Sequence, residues 1–178
     1  MEKARSLSFR QLCKFGVMER IAVFAGSFDP FTLAHLSIAK RASSLFDRIF
    51  IVVAQNVNKK SLFPVEVRMR FIQKAVAGLR NASVESYSGL TVDFAKKNAA
   101  KYLVRGIRSS AEFDAEHNLA WNNRRLASEI ETVFLQIEPE FADVSSSAVR
   151  EVLKFGGDIS SMVPSTILHD ILHETEKL

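Results

Sequence analysis

The chain has 178 residues, 47% of them hydrophobic and 25% charged, enough for one domain with a full core and too short for two comfortable ones. Its net charge is +4, but residues 1–17 carry Lys3, Arg5, Arg10 and Lys14 against Glu2, a balance of +3, which leaves only +1 for residues 18–178. A body so nearly neutral gives no ground for nucleic-acid binding, and the apolar positions of the first twenty residues never join into a signal-peptide core or a membrane span.

The single cysteine, Cys13, lies in the basic N-terminal stretch and has no partner for an internal disulfide, which fits a reducing, cytoplasmic setting. Residues 1–17 read as an N-terminal extension outside the fold, or alternatively as an Arg-rich, Ser-containing transit sequence, and the domain is expected over 18–178. From there short apolar runs alternate with helical patterns. A strand is predicted at Ile21–Phe24, a helix at Leu33–Phe46, a strand at Ile49–Ala54, and a helix at Val65–Leu79 opened by Pro64. A strand at Ser83–Tyr87, a helix at Val92–Asn98, a strand at Tyr102–Arg105, a helix at Ala111–Ala127 and a strand at Thr132–Ile137 follow. Two final helices are predicted at Ser146–Phe155, closed by Gly156-Gly157, and at Ser165–Lys177 after Pro164. The alternation predicts an α/β fold: a Rossmann-like, doubly wound, five-stranded parallel sheet with C-terminal helices.

In such a sheet ligands bind beyond the carboxyl ends of the strands, so the loops after the strands carry the chemistry. After the first strand, "AGSFDPFTLAH" has Gly26 for a tight turn with backbone close to a ligand, Pro30 to stiffen it, and Thr32 as a natural helix N-cap. His35 then falls in the first helical turn, at the positive end of a helix, a place suited to an anion such as phosphate. A plain turn followed by a capping histidine is the other reading of this segment. Lys59 and Lys60 follow the second strand, Arg105 and Arg108 flank a glycine that lets the backbone turn after the fourth, and Ser145, Ser146 and Ser147 open a helix after the fifth, with Arg150 close behind. Guanidinium forks and helix starts both suit phosphate oxygens. All four signals fall on one predicted edge, which describes a crevice for several phosphates. Neither a Walker lysine loop nor the dinucleotide Gly-x-Gly-x-x-Gly accompanies it. His169 and His173 have i, i+4 spacing but lack the glutamate of a zincin motif, and read as the exposed face of the last helix.

The segments "AGSFDPFTLAH", "NKKSLF", "LVRGIRSSAEFDAEHNLAWNNRRL" and "DVSSSAVREV" resemble phosphopantetheine adenylyltransferase, a nucleotidyltransferase family of coenzyme A biosynthesis, over about residues 20–175. The resemblance implies transfer of AMP from ATP to 4′-phosphopantetheine, giving dephospho-coenzyme A and pyrophosphate. Magnesium is implied with ATP and without dedicated protein ligands, and a homohexamer is expected, with no nucleic-acid or membrane partner. It implies that the catalytic residues are His35, stabilising the transition state at the ATP phosphates, and Lys59, which with Ser27 holds the acceptor phosphate. Thr91 and Arg105 match positions that contact phosphopantetheine. Ser27, Phe28, His35, Gly106, Ile107, Arg108, Glu116, Phe141, Ala142, Asp143, Val144, Ser145, Ser146 and Ser147 match the ATP side. Two positions depart from the family pattern: Ala34 stands where Gly usually precedes the histidine, and Ala115 where an aromatic residue often stands. Nicotinate-mononucleotide adenylyltransferase shares the Gly-Ser-Phe-Asp-Pro opening but usually has His at the position of Thr32. A non-catalytic nucleotide-binding relative is the rival from outside enzymes.

Overall fold

The computed structural model describes residues 18–55 and 60–177. Strands β1 (Ile21–Gly26), β2 (Arg48–Ala54), β3 (Ala82–Tyr87), β4 (Tyr102–Ile107) and β5 (Glu131–Gln136) form one sheet in the order β3-β2-β1-β4-β5, every neighbouring pair parallel. The chain winds outward from β1 through β2 to β3 and then returns to the other side of β1. This is the doubly wound order expected from the alternation, with its switch point between β1 and β4.

Helices α1 (Leu33–Leu45), α2 (Val65–Ala75), α5 (Ser146–Lys154) and α6 (Ser165–Thr175) pack on one face of the sheet. There Ala22, Phe24, Ile49, Ile51, Val53 and Val104 meet Ile38, Phe71, Val149 and Ile167. The alternate residues Val23, Ala25, Phe50, Val52 and Leu103 point the other way, onto Val92, Phe94 and Ala95 of α3 (Thr91–Lys97) and onto Ala127 and Ile130 beyond α4 (Ser110–Leu126). Because β1 and β2 are buried on both faces, their sequences read as continuous apolar runs rather than as alternating ones. The α2–α6 contact also carries two exposed ion pairs, Arg70–Glu174 at 3.0 Å and Lys74–Asp170 at 2.8 Å, which add little beyond the packing.

Several boundaries differ from expectation, β1 running on to Gly26, two residues past its predicted end. β4 runs two residues past the predicted end and holds Gly106 inside the strand, opposite Leu135, so this glycine makes no turn. A Cβ on Gly106 would stand 3.2 Å from Ile38 Cγ1 and 3.4 Å from Ile137, which shows that the missing side chain lets α1 and the end of β5 close over the strand. α2 stops at Ala75 instead of Leu79, where the chain passes into a turn around Gly78. A single 3-10 turn at Pro139–Phe141 was not expected. Gly156, by contrast, ends α5 as predicted: its φ of +68° is the left-handed geometry that closes a helix.

Gly26 lines the crevice, and packing within the loop also requires its missing side chain. A Cβ there would lie 2.9 Å from Phe28 Cε1, and the Phe28 ring is buried against Phe24 and Phe31. Gly26→Ala is therefore expected to cost about 1–3 kcal/mol by overpacking, read as a Tm lower by about 2–4 °C per kcal/mol; an unchanged Tm contradicts the packing.

Candidate active site

The crevice opens because two neighbouring strands part. β1 and β4 pair over only three positions, Ala22–Phe24 with Tyr102–Val104, against six in every other neighbouring pair. In the gap the Arg105 guanidinium donates to Ala25 O at 2.9 Å. The resulting cavity of about 210 Å³ is lined by Ser27, Phe28, His35, Arg105, Arg108 and Glu116 among others, so six residues expected on three separate loops and helices share one space.

His35 is both a capping residue and a wall of the crevice. Thr32 caps α1: its Oγ1 accepts from His35 N at 3.4 Å, while the imidazole folds back so that Nδ1 accepts from Thr32 N at 3.1 Å. A backbone N–H can only donate, so Nδ1 is bare and the ring proton sits on Nε2. With Nδ1 turned onto the cap, Nε2–H is the edge left for the crevice. The ring also meets Phe28 at 5.0 Å, perpendicular, and Phe31 at 5.5 Å. Loss of water in this aromatic setting, and then the positive charges of Arg108 and Arg105, push the His35 pKa down to about 3. At neutral pH the residue is thus an uncharged directional donor. Because the folded value lies below the usual 6.5, the unfolded chain takes up the proton first. His35 therefore does not affect stability above about pH 6.5 and destabilises the fold progressively as pH falls toward about 3. A constant Nε2–H signature of His35 in nitrogen NMR between pH 8 and 5 is expected; a protonation step in that window contradicts it.

The two arginines are held by carboxylates of the first turns of α4. Arg105 donates from Nε and a terminal nitrogen to the two oxygens of Glu116, at 2.6 and 2.7 Å. Arg108 donates to Glu112 at 2.8 Å and its backbone N–H to the same carboxylate at 3.1 Å, leaving Nε buried with no hydrogen-bond partner. Glu116, placed on the ATP side by resemblance, is thus bonded to the arginine placed on the acceptor side. Sequence reasoning passed over Glu112, which follows Arg108 at i+4 spacing, the signal that could have found it.

The β1–α1 loop is pinned from several directions. Ser27 is exposed at the lip, and Phe28 has a φ of +47°, a left-handed geometry that costs an ordinary residue on the order of 1 kcal/mol and is kept here by its buried ring. Asp29, 4% exposed, accepts from Leu62 N at 2.8 Å and Phe63 N at 3.0 Å. Arg68, 5% exposed, donates to Phe63 O at 3.0 Å and Ser27 O at 2.6 Å. Neither was read as functional from sequence, Asp29 because it suits a turn and Arg68 because it lies on a helix. Lys59 lies outside the described residues, and Lys60 is exposed.

The three serines divide their work among protein partners. Ser145 caps α5 by accepting from Ala148 N at 3.1 Å, Ser146 Oγ donates to Pro30 O at 2.9 Å, and Ser147 Oγ accepts from Arg150 at 3.1 Å. Arg150 also donates to Asp29 O, so the serine helix is tied to the β1–α1 loop although it does not itself line the 210 Å³ cavity. Phe141, Ala142, Asp143 and Val144 lead into this helix; Val144 is buried and Phe141 packs on the core, while Ala142 and Asp143 are exposed. Gly106 lines the cavity, and the Ile107 carbonyl accepts from Ile137 N at 2.8 Å. Thr91 opens α3 and is half-buried, outside the cavity lining. Ala34 lines the cavity fully buried, and Ala115 is exposed on α4. His169 and His173 are exposed on α6; among the described residues no group of three His, Cys, Asp or Glu side chains could hold a metal ion. No helix of the described residues is long and apolar enough to cross a membrane.

Comparison with known proteins places this geometry. Residues 23–152 match the cytidylyltransferase-like family model. The chain is 42% identical over 152 residues to a phosphopantetheine adenylyltransferase of Clostridium perfringens, covering 85% of this chain and 93% of that protein. It is 44% identical over 151 residues to one of Crocosphaera subtropica, covering 85% and 96%, and 46% identical over 147 residues to one of Levilactobacillus brevis, covering 83% and 91%. A solved structure from Vibrio parahaemolyticus, proposed to be a nicotinate-nucleotide adenylyltransferase, superposes with a TM-score of 0.64 over 87% of this chain and 99% of that one, at 21% identity, a likeness of fold alone. Matched along most of its length in both sequence and fold, the chain belongs to the cytidylyltransferase-like nucleotidyltransferases and, within them, to the phosphopantetheine adenylyltransferase family.

Proposed function

We propose that the protein transfers the adenylyl group of ATP to the phosphate of 4′-phosphopantetheine, a step of coenzyme A biosynthesis. An oxygen of the acceptor phosphate forms a bond to the α-phosphorus, the bond from that phosphorus to the bridging oxygen breaks, and pyrophosphate leaves with its electron pair. The nucleophile is already an anion, so no protein base is required. What the protein must do is hold two anions in line and meet charge growing on the α-phosphoryl oxygens.

The observation that carries this reading is the placement of His35, its Nδ1 held by Thr32 N and its ring in the same cavity as Arg105 and Arg108. His35 donates to the phosphoryl oxygens as their charge grows. Ser27, Lys59, Thr91 and Arg105 serve the acceptor. Ser27, Phe28, Gly106, Ile107, Arg108, Glu116 and residues 141–147 serve ATP, where Arg108 Nε is a buried donor in want of an acceptor.

Magnesium is proposed to come with ATP, without dedicated protein ligands, where it would offset phosphate charge. Glu116, which lines the crevice, and Glu112, which holds Arg108, are both engaged by arginines, and no step of the transfer is assigned to the metal. Residence in the cytoplasm is proposed, in keeping with a single cysteine that has no partner for an internal disulfide.

Assembly into a homohexamer is also proposed. What supports contact between copies is α4, a 17-residue helix with no buried residue. It exposes Phe113, Leu119, Leu126 and Trp121, the last at 57%, and borders a cavity of about 420 Å³ against β5. Phe113 and Trp121 lie to one side of the helix and Leu119 and Leu126 to the other, and exposed apolar side chains of this size are candidates for contact with another copy. The rival acceptor is tested by pyrophosphate release from ATP with 4′-phosphopantetheine or nicotinate mononucleotide: release with the first alone supports the reading, and release with the second alone overturns it.

A further inference from the structure

We propose that Asp29 and Arg68 form a buried clasp that sets the spacing between the β1–α1 loop and the β2–α2 loop, making Arg68 a positioning residue for the acceptor phosphate. This rests on the assignment of Ser27 and Lys59 to that phosphate.

The two loops leave adjacent strands of the sheet, and beyond the strand ends no ladder joins their described residues. Their backbone groups must find other partners. Four hydrogen bonds from two buried charged side chains supply them. Asp29, on the first loop, takes the N–H groups of Leu62 and Phe63 on the second. Arg68, on α2 behind the second loop, takes the carbonyls of Phe63 and Ser27. Phe63 is thereby held at both its N–H and its C=O, and the carbonyl held on the other side belongs to Ser27 itself. Arg150 steadies the clasp from α5 by donating to Asp29 O.

A buried guanidinium and carboxylate are an expensive way to fill space, since apolar side chains of similar volume would stabilise a core at least as well. An apolar side chain cannot hold two carbonyls of two different loops at a fixed separation. That is the task at this site, because in-line transfer requires the acceptor oxygen within about 3–3.5 Å of phosphorus and a misplacement of about 1 Å costs on the order of 100-fold. Arg68 itself makes no contact with α5 or Arg108, the tie to α5 running through the Asp29 carbonyl, and Ser27 is one of many contacts assigned to ATP, so loss of Arg68 weighs on the acceptor far more than on ATP.

The test uses the full chain with Arg68→Met, Arg68→Lys and Asp29→Asn. Phosphopantetheine kinetics, the ATP dissociation constant without acceptor, and Tm are measured for each. Arg68→Met is expected to raise the phosphopantetheine KM at least about 10-fold with ATP affinity within about twofold. Lysine can reach one of the two carbonyls, so Arg68→Lys should give an intermediate KM and also decides the matter if the methionine variant does not fold. Asp29→Asn, which loses one of two acceptor oxygens, should show the same acceptor-specific change. A lower Tm with both substrates bound as before reduces Arg68 to a core residue and overturns the clasp. Failure of the unaltered chain to use phosphopantetheine at all overturns the functional reading, and the acceptor role of the clasp with it.

Discussion

Replacing His35 with Ala is expected to lower kcat by about 100-fold or more while the KM for ATP changes by no more than about threefold. The split follows from the ring's protonation. An imidazolium would attract the triphosphate in the ground state and its loss would weaken binding. Here burial and two arginines hold the pKa near 3, so the ring carries no charge to attract with. It offers one N–H, fixed in direction because Thr32 N holds Nδ1 at 3.1 Å. Such a donor gains most when charge appears at the α-phosphoryl oxygens, which happens in the transition state. Gln, a neutral donor of comparable reach, should recover part of the rate. The pH profile of kcat between 5 and 8 should contain no step that disappears in His35→Ala. An unchanged kcat removes His35 from the reaction, and a His35-dependent step near pH 6.5 shows that the charged form is the active one.

Arg105→Ala is expected to lower kcat/KM for phosphopantetheine by about 100-fold or more, a larger effect than one lost contact would give. The side chain bonds Glu116 through two nitrogens and Ala25 O through a third. Its removal loses the acceptor's cation and also leaves the half-buried Glu116 carboxylate unpaired in the cavity, repelling the incoming phosphate. Glu116→Gln should therefore restore part of the loss when added to Arg105→Ala and be harmful by itself, because it loosens the fork that aims the guanidinium. That sign reversal is read in a double-mutant cycle of kcat/KM. Strict additivity of the two substitutions contradicts the assigned geometry.

The sheet and its winding were legible because apolar runs and helical patterns alternate regularly, and with only five strands a parallel doubly wound sheet buries both. The Thr32 cap and the place of His35 in the first turn were legible too, since capping is a local matter of spacing. The state of His35 was not: it depends on Phe28 and Phe31 closing on the ring and on arginines seventy residues away. Gly106 was misread as a turn because a glycine after an apolar run looks the same whether it bends the chain or makes room, and the room is needed by Ile38 and Ile137. The pairing of Arg105 with Glu116 spans 11 positions and the inter-loop bonds of the Asp29–Arg68 clasp span 33 to 41, beyond any helical or strand period. The helix of α4 was legible from its pattern, but its burial was not: no residue of it is buried among the described residues, and Phe113 reaches the sheet only through Phe134.

The most direct measurement follows ATP labelled at the α-phosphate, incubated with the protein alone and with 4′-phosphopantetheine. The account predicts no label on the protein in either case. With acceptor present, label should pass into dephospho-coenzyme A with one pyrophosphate released per label transferred. Label bound to the protein, or pyrophosphate released without acceptor, would contradict direct transfer, and unchanged ATP in the presence of phosphopantetheine would contradict the function itself.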